Sequence, residues 1–267
     1  MIMEKLGKAW INGIFFALTL VVNTLGAIGL INGLSQKEIS DRYVTLITPS
    51  SSTFSIWSVI YSLLLVSIIV MIVKKNDPYY QKAVDEISFL FRLSCIFNIV
   101  WIVTFSFVLV EVSVLFIFAF VVNLAILSLK LLKIQEKRRW LLPLTFGLYS
   151  GWLFIATVVN IAAALVKMKW NGFGIGAEIW SILILAISVV LVGLVVLRIK
   201  NAAFPLSVAW AYFGIYQFLN MPSGFKGAYP LLEIVALGGS VVLIGIAAIQ
   251  LYRNQFAVIP AASNIRG

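Results

Sequence analysis

Apolar runs of about twenty residues recur along this chain, and a helix of that length covers the hydrocarbon core of a bilayer. Hydrocarbon offers the backbone no hydrogen bonds, so such runs are predicted to be spanning helices rather than alternating barrel strands. Eight are read, over about Trp10–Leu34, Thr53–Val73, Val84–Val108, Val112–Leu132, Trp140–Val166, Gly176–Leu197, Ala203–Leu219 and Tyr229–Tyr252. The expected fold is an all-α membrane protein, a polytopic bundle of about eight transmembrane helices. Composition agrees: 62% of residues are hydrophobic and 11% charged, against roughly 45–50% and 25% in soluble domains. The first run is too long for a signal peptide and has no small-x-small site after it, so it is expected to stay as a helix.

The net charge of +10 is read as topology signal and lipid attraction, with the bilayer as partner and no nucleic acid. Of the 20 Lys and Arg, Lys37, Arg42, Lys167, Lys169 and Lys226 fall in the loops of one side, and Arg92 lies in a helix. The remaining fourteen fall on the other side. That imbalance predicts both termini in the cytoplasm and the 35–52 loop facing outward; the bacterial plasma membrane is the expected location.

The chain has no histidine and a single cysteine, Cys95, inside an apolar run. Ser-His-Asp and Cys-His mechanisms are thereby excluded, as is a histidine haem ligand. No acids cluster for metal or glycosidic chemistry, and Glu111, Glu178 and Glu233 sit near helix starts, where the dipole favours them. No catalytic or metal-ligating residue is therefore assigned, no cofactor is required, and catalysis is not expected. The in-span amides Asn23, Asn98, Asn123 and Asn160 each need a partner, as glue between helices or as ligand donors. In the first helix a Gly26-xx-Gly29 pair permits close helix approach.

Three helices carry aromatic and polar stripes at helical spacing. After the proline-containing segment from Thr48, Phe54, Trp57 and Tyr61 share one face. Asn98, Trp101 and Phe105 share another, and Tyr149, Trp152, Ala156 and Asn160 a third. Trp10, Trp140 and Trp170 lie at helix ends, where the aromatic belt of a membrane protein explains them. The deeper tryptophans are either core or the flat walls of a pocket for a planar apolar ligand.

Phe54-xx-Trp57-xxx-Tyr61, Asn98-xx-Trp101-xxx-Phe105 and Tyr149-xx-Trp152-xxx-Ala156-Thr157-xx-Asn160 resemble, in order, the second-, third- and fifth-helix motifs of the TspO/translocator-protein family, the tryptophan-rich sensory proteins. The resemblance covers about residues 10–166. It implies a five-helix unit over 1–166 with 35–52 as a lid, three added helices over 167–252 and a flexible tail over 253–267. It further implies a sensor or receptor that binds a porphyrin or other tetrapyrrole among Phe54, Trp57, Tyr61, Asn98, Trp101, Phe105, Tyr149, Trp152, Ala156 and Asn160. Transport of a small organic substrate, or light-dependent porphyrin modification by pocket tryptophans, are the alternatives. A homodimer is left open. The sequence departs from the family at the lid, where Pro49-Ser50 and Thr53 replace the usual paired proline and bulky residue. It also lacks a tyrosine between Ile161 and Trp170, where a sterol-recognition pattern would fall.

Overall fold

The computed structural model describes residues 2–136 and 138–262, which are helical, with no strand among them. The helices are α1 (Ile2–Ala27), α2 (Gln36–Arg42), α3 (Ile56–Val73), α4 (Pro78–Ser106), α5 (Val110–Ile134), α6 (Leu141–Lys167), α7 (Ala177–Ile199), α8 (Phe204–Asn220) and α9 (Pro230–Arg253). A 3-10 turn at Ser51–Ser55 leads into α3. Seven helices are long and apolar enough to cross a membrane. The expected eighth span, α8, has 17 residues and reaches about 25 Å, short of the roughly 30 Å hydrocarbon core, and is not among these seven.

Helices α1, α3, α6, α5 and α4 touch in that order and close into a ring, α4 returning to α1. Beside the ring α8 lies on α6, α9 on α8, and α7 on α9. One apolar core runs through both parts, from Phe16 and Ile60 to Tyr212 and Leu243. Hydroxyls and amides cross the helix contacts at intervals. Asn12 donates to Ser88 Oγ at 2.9 Å, Asn123 to the Leu90 carbonyl at 2.8 Å, and the Ser67 and Thr145 hydroxyls lie 3.0 Å apart. In a water-free interior such bonds hold helices in register, since a polar group pulled out of place finds no other partner.

Two helix starts differ from the hydropathy reading. The first helix runs from Ile2 rather than Trp10 and ends at Ala27, so Asn32 lies in the following turns. Its added turns are held by charge, Lys5 and Lys8 reaching Asp85 at 2.8 and 3.0 Å. Of the glycine pair, Gly26 does meet α4, a Cβ there lying 2.9 Å from Ile102 Cγ2, whereas Gly29 sits at φ +78° beyond the helix. Helix α4 starts at Pro78 instead of Val84, because Asp77 caps it by accepting the Tyr79 N–H at 2.9 Å and Pro78 needs no donor at the first position. Burial pushes the Asp77 carboxyl up, but the Arg139 hydrogen bond at 2.8 Å and the Tyr79 N–H outweigh it, leaving the group below its ordinary value.

The 35–52 segment contains α2, capped at both levels by Ser35 and Glu38: each side chain takes the other's backbone N–H. The Ser35 backbone N–H, and then its hydroxyl, hold the Glu38 carboxyl below its usual range. Ile39 of α2 is buried on Val110, Ala163 and Ala164, and Leu46 and Ile47 enter the main core. α2 thus closes one end of the ring, called the lid end below. At the other end residues 254–262 lie against the bundle. Asn254 donates to the Lys200 carbonyl, Ala202 N–H to Val258 O, and Ala262 N–H to Gln135 O, all within 2.9 Å, and Ile259 is buried. Residues 263–267 lie outside the described part.

Candidate functional site

Inside the ring, near the lid end, the three stripes meet around Trp57. Its ring stacks on Tyr61 (centroids 5.0 Å apart) and lies 6.4 Å from Trp101, 6.1 Å from Tyr149 and 6.1 Å from Trp152. Phe54 stands edge-on to Trp152 at 5.9 Å and is 44% exposed, so it forms the rim. Trp57 comes from α3, Trp101 from α4 and Tyr149 and Trp152 from α6. The ring of helices brings them together because α3 touches α6 and α4 flanks both α1 and α5. Ala156 lies against the same core.

Polar groups line the aromatic centre. Tyr61 OH donates to Asn23 Oδ1 at 3.0 Å, and Asn23 Nδ2 donates to Asn98 Oδ1 at 2.5 Å. On the α5–α6 side, Trp101 Nε1–H donates to Asn160 Oδ1 at 3.0 Å, and Asn160 Nδ2 donates to Ser113 Oγ at 3.0 Å. Two buried donors make no hydrogen bond of good geometry to the protein: Trp152 Nε1, in a residue 2% exposed, and Asn98 Nδ2, in a residue 0% exposed, which faces the Tyr61 and Tyr149 hydroxyls. A buried polar group left unpaired costs about 1–3 kcal/mol.

Phe105 does not join the others. It lies one turn beyond Trp101, in the small cluster under α2 with Ile39 and Val110. Two participants were not in the stripes. Asn23 carries the amide relay from α1, and Phe120 of α5 packs edge-on to Tyr149 at 5.4 Å. Asn23 was legible as an in-span amide, whereas Phe120 had no distinguishing mark in a run rich in phenylalanine. At the lid end Glu111 pairs with Lys167 at 2.6 Å. Among the described residues no group of three or more His, Cys, Asp or Glu could hold a metal ion. The site can stack, enclose and donate hydrogen bonds.

The Trp101–Asn160–Ser113 chain makes a specific demand. Asn160→Leu leaves the Trp101 N–H unpaired and should destabilise by about 2 kcal/mol. Trp101→Phe should cost less, and the double variant less than the sum of the two, by about 1 kcal/mol. Thermal denaturation in detergent checks this, and strict additivity would mean that the hydrogen bond contributes nothing.

The model of the TSPO-like protein family matches residues 9–249. The chain belongs to the TSPO-like family. The match extends past the three aromatic motifs and through α7 and α8 into α9. No curated protein and no solved structure matches the chain. As a TSPO-like protein with spanning helices it is an integral membrane protein.

Proposed function

We propose that this TSPO-like protein is a ligand-binding membrane sensor that takes a flat, apolar ligand of the porphyrin type among Phe54, Trp57, Tyr61, Trp101, Tyr149 and Trp152. The observation that carries this reading is the meeting of these rings from three helices next to two buried donors that make no hydrogen bond of good geometry to the protein. Indole faces stack on a planar conjugated ring, and the Trp152 and Asn98 N–H groups suit acceptor atoms at its edge. The rings touch one another without ligand, so uptake requires Phe54 and Trp57 to part, and the exposed rim at Phe54 is where this begins. The lid end faces outward and both termini lie in the cytoplasm, in keeping with the distribution of lysine and arginine.

A transport reading has less support. The centre holds amides and hydroxyls, and Glu111 nearby is paired with Lys167, which leaves proton or sodium coupling with little to carry it there. Titration of the purified protein with a porphyrin, following tryptophan fluorescence, tests the proposal. Saturable quenching that weakens in Trp57→Phe and Trp152→Phe supports it. Quenching that does not saturate, or that both variants leave unchanged, overturns it.

A further inference from the structure

The start of the aromatic helix is held locally by the Ser50 hydroxyl, 2.9 Å from that of Thr53, and by the Thr53 N–H donating to the Ser50 carbonyl at 3.0 Å, but no side chain caps it. Neither the 3-10 turn at Ser51–Ser55 nor α3 has a side-chain cap of its own, although helix starts leave backbone donors unpaired. Further fixing comes from α8. Trp210, Gly214 and Gln217 follow at intervals of four and three, so they lie on one face of that helix. The Ser50 N–H donates to the Gly214 carbonyl at 2.9 Å, and the Ser50 hydroxyl to Gln217 Oε1 at 3.1 Å. Trp210 Nε1–H donates to the Thr53 carbonyl at 2.8 Å. Thr53 itself rests on the bare backbone of Gly214: a Cβ there would overlap Thr53 Oγ1 and lie 2.8 Å from its Cβ. Ser50 and Thr53 are each 1% exposed, and Phe54 is the next residue.

Helix α8 is itself well held. Asn201, just before it, donates to the Pro143 carbonyl of α6 at 2.8 Å. Tyr212 OH donates to Leu185 O of α7 at 2.6 Å, and Ser240 of α9 donates to Ala209 O at 3.0 Å. A helix tied to three neighbours is a stable reference for a loop that must hold its position. We infer that α8 is the positioning element of the aromatic centre: Trp210, Gly214 and Gln217 clamp Ser50–Thr53 and thereby set where Phe54 and Trp57 stand against Trp152. The helices outside the ring then serve the site directly. That the clamp also sets ligand affinity rests on the functional reading above; that it sets the place of residues 50–57 does not.

The test uses the full chain in detergent, with Trp210→Phe and Gln217→Leu, each removing one clamp bond while keeping a side chain of similar bulk. Ser240→Ala is the control, loosening α8 from α9 without removing a bond to residues 50–53. Amide hydrogen exchange over residues 50–57, melting temperature and porphyrin titration are read for each. Loss of one hydrogen bond corresponds to about a five-fold change, so exchange over 50–57 should rise, and porphyrin affinity fall, by about five-fold in the two clamp variants. Ser240→Ala should alter melting temperature alone. Unchanged exchange over 50–57 in both clamp variants overturns the inference, as does an equal rise in Ser240→Ala. A wild type that takes up no porphyrin while the clamp variants raise exchange overturns the sensor reading and supports the clamp.

Discussion

Gly151→Ala is expected to lower the melting temperature in detergent by roughly 10 °C. A Cβ at Gly151 would overlap the Phe204 carbonyl oxygen and lie 3.0 Å from the Phe204 carbonyl carbon, with the Ser207 hydroxyl also in the way. One turn earlier Gly147 meets the Asn201 side chain, a Cβ there lying 2.7 Å from Nδ2. Two terms oppose each other. Alanine is the better helix former by about 1 kcal/mol. Overfilling a packed contact costs about 1–3 kcal/mol, occasionally more. The obstacle here is backbone, which cannot rotate aside, so the second term exceeds its usual range and leaves a net loss of about 3 kcal/mol. Gly193→Ala is the control, since nothing lies within 4 Å of a Cβ there. It should hold or slightly raise the melting temperature. A Gly151→Ala protein as stable as wild type would mean that α6 and α8 do not approach at this point.

That contact shows how much of the fold the sequence contained. Hydropathy encodes whether a segment spans, so the spans were legible even with low sequence diversity. It encodes ends poorly where the first turns are held by charge. The Lys5 and Lys8 turns of α1 and the Tyr79–Glu86 turns of α4 lean on one another through Asp85, and neither looks apolar alone. Hydropathy says nothing of which helix neighbours which. Gly147-xxx-Gly151 did carry that information, as a close-approach pattern on the same helix as Tyr149 and Trp152. Asn201 and the first turn of α8 are what come near enough to use it. The docking of residues 254–262 had no such mark, because it runs through backbone groups such as Ala202 N–H and Ala262 N–H that every sequence possesses.

The site was legible to the same depth. A spacing of three and four residues states that side chains share a face, but not which faces meet. Trp57, Trp101, Tyr149 and Trp152 do meet, because the ring turns their faces inward. Phe105 shares the Asn98 stripe and yet packs beneath α2, one turn too near the lid end to reach the centre. The clamp from α8 could not be read from the motifs at all, since its partners on the α3 side are mostly peptide groups of Ser50 and Thr53.

Trp57→Ala and Trp152→Phe should separate packing from recognition by moving stability in different ways. Trp57 touches four other rings, and removing its indole should cost about 3 kcal/mol, the low end for a large core side chain because Trp57 is part-exposed. Porphyrin affinity should fall by more than about ten-fold with it, since a stacking wall is gone. Trp152→Phe keeps a ring against Phe54 and Trp57 but removes the Nε1–H that has no protein acceptor. Deleting an unpaired buried donor relieves a penalty of about 1–3 kcal/mol, which offsets the smaller ring's lost contacts, so stability should stay near wild type. Affinity should nonetheless fall by about five-fold if that N–H serves a ligand acceptor. Melting curves and porphyrin titrations on the two variants check both halves. A Trp152→Phe protein that is destabilised while its affinity is unchanged would assign the indole N–H to the protein's own core, and the case for a ligand acceptor at this point would fail.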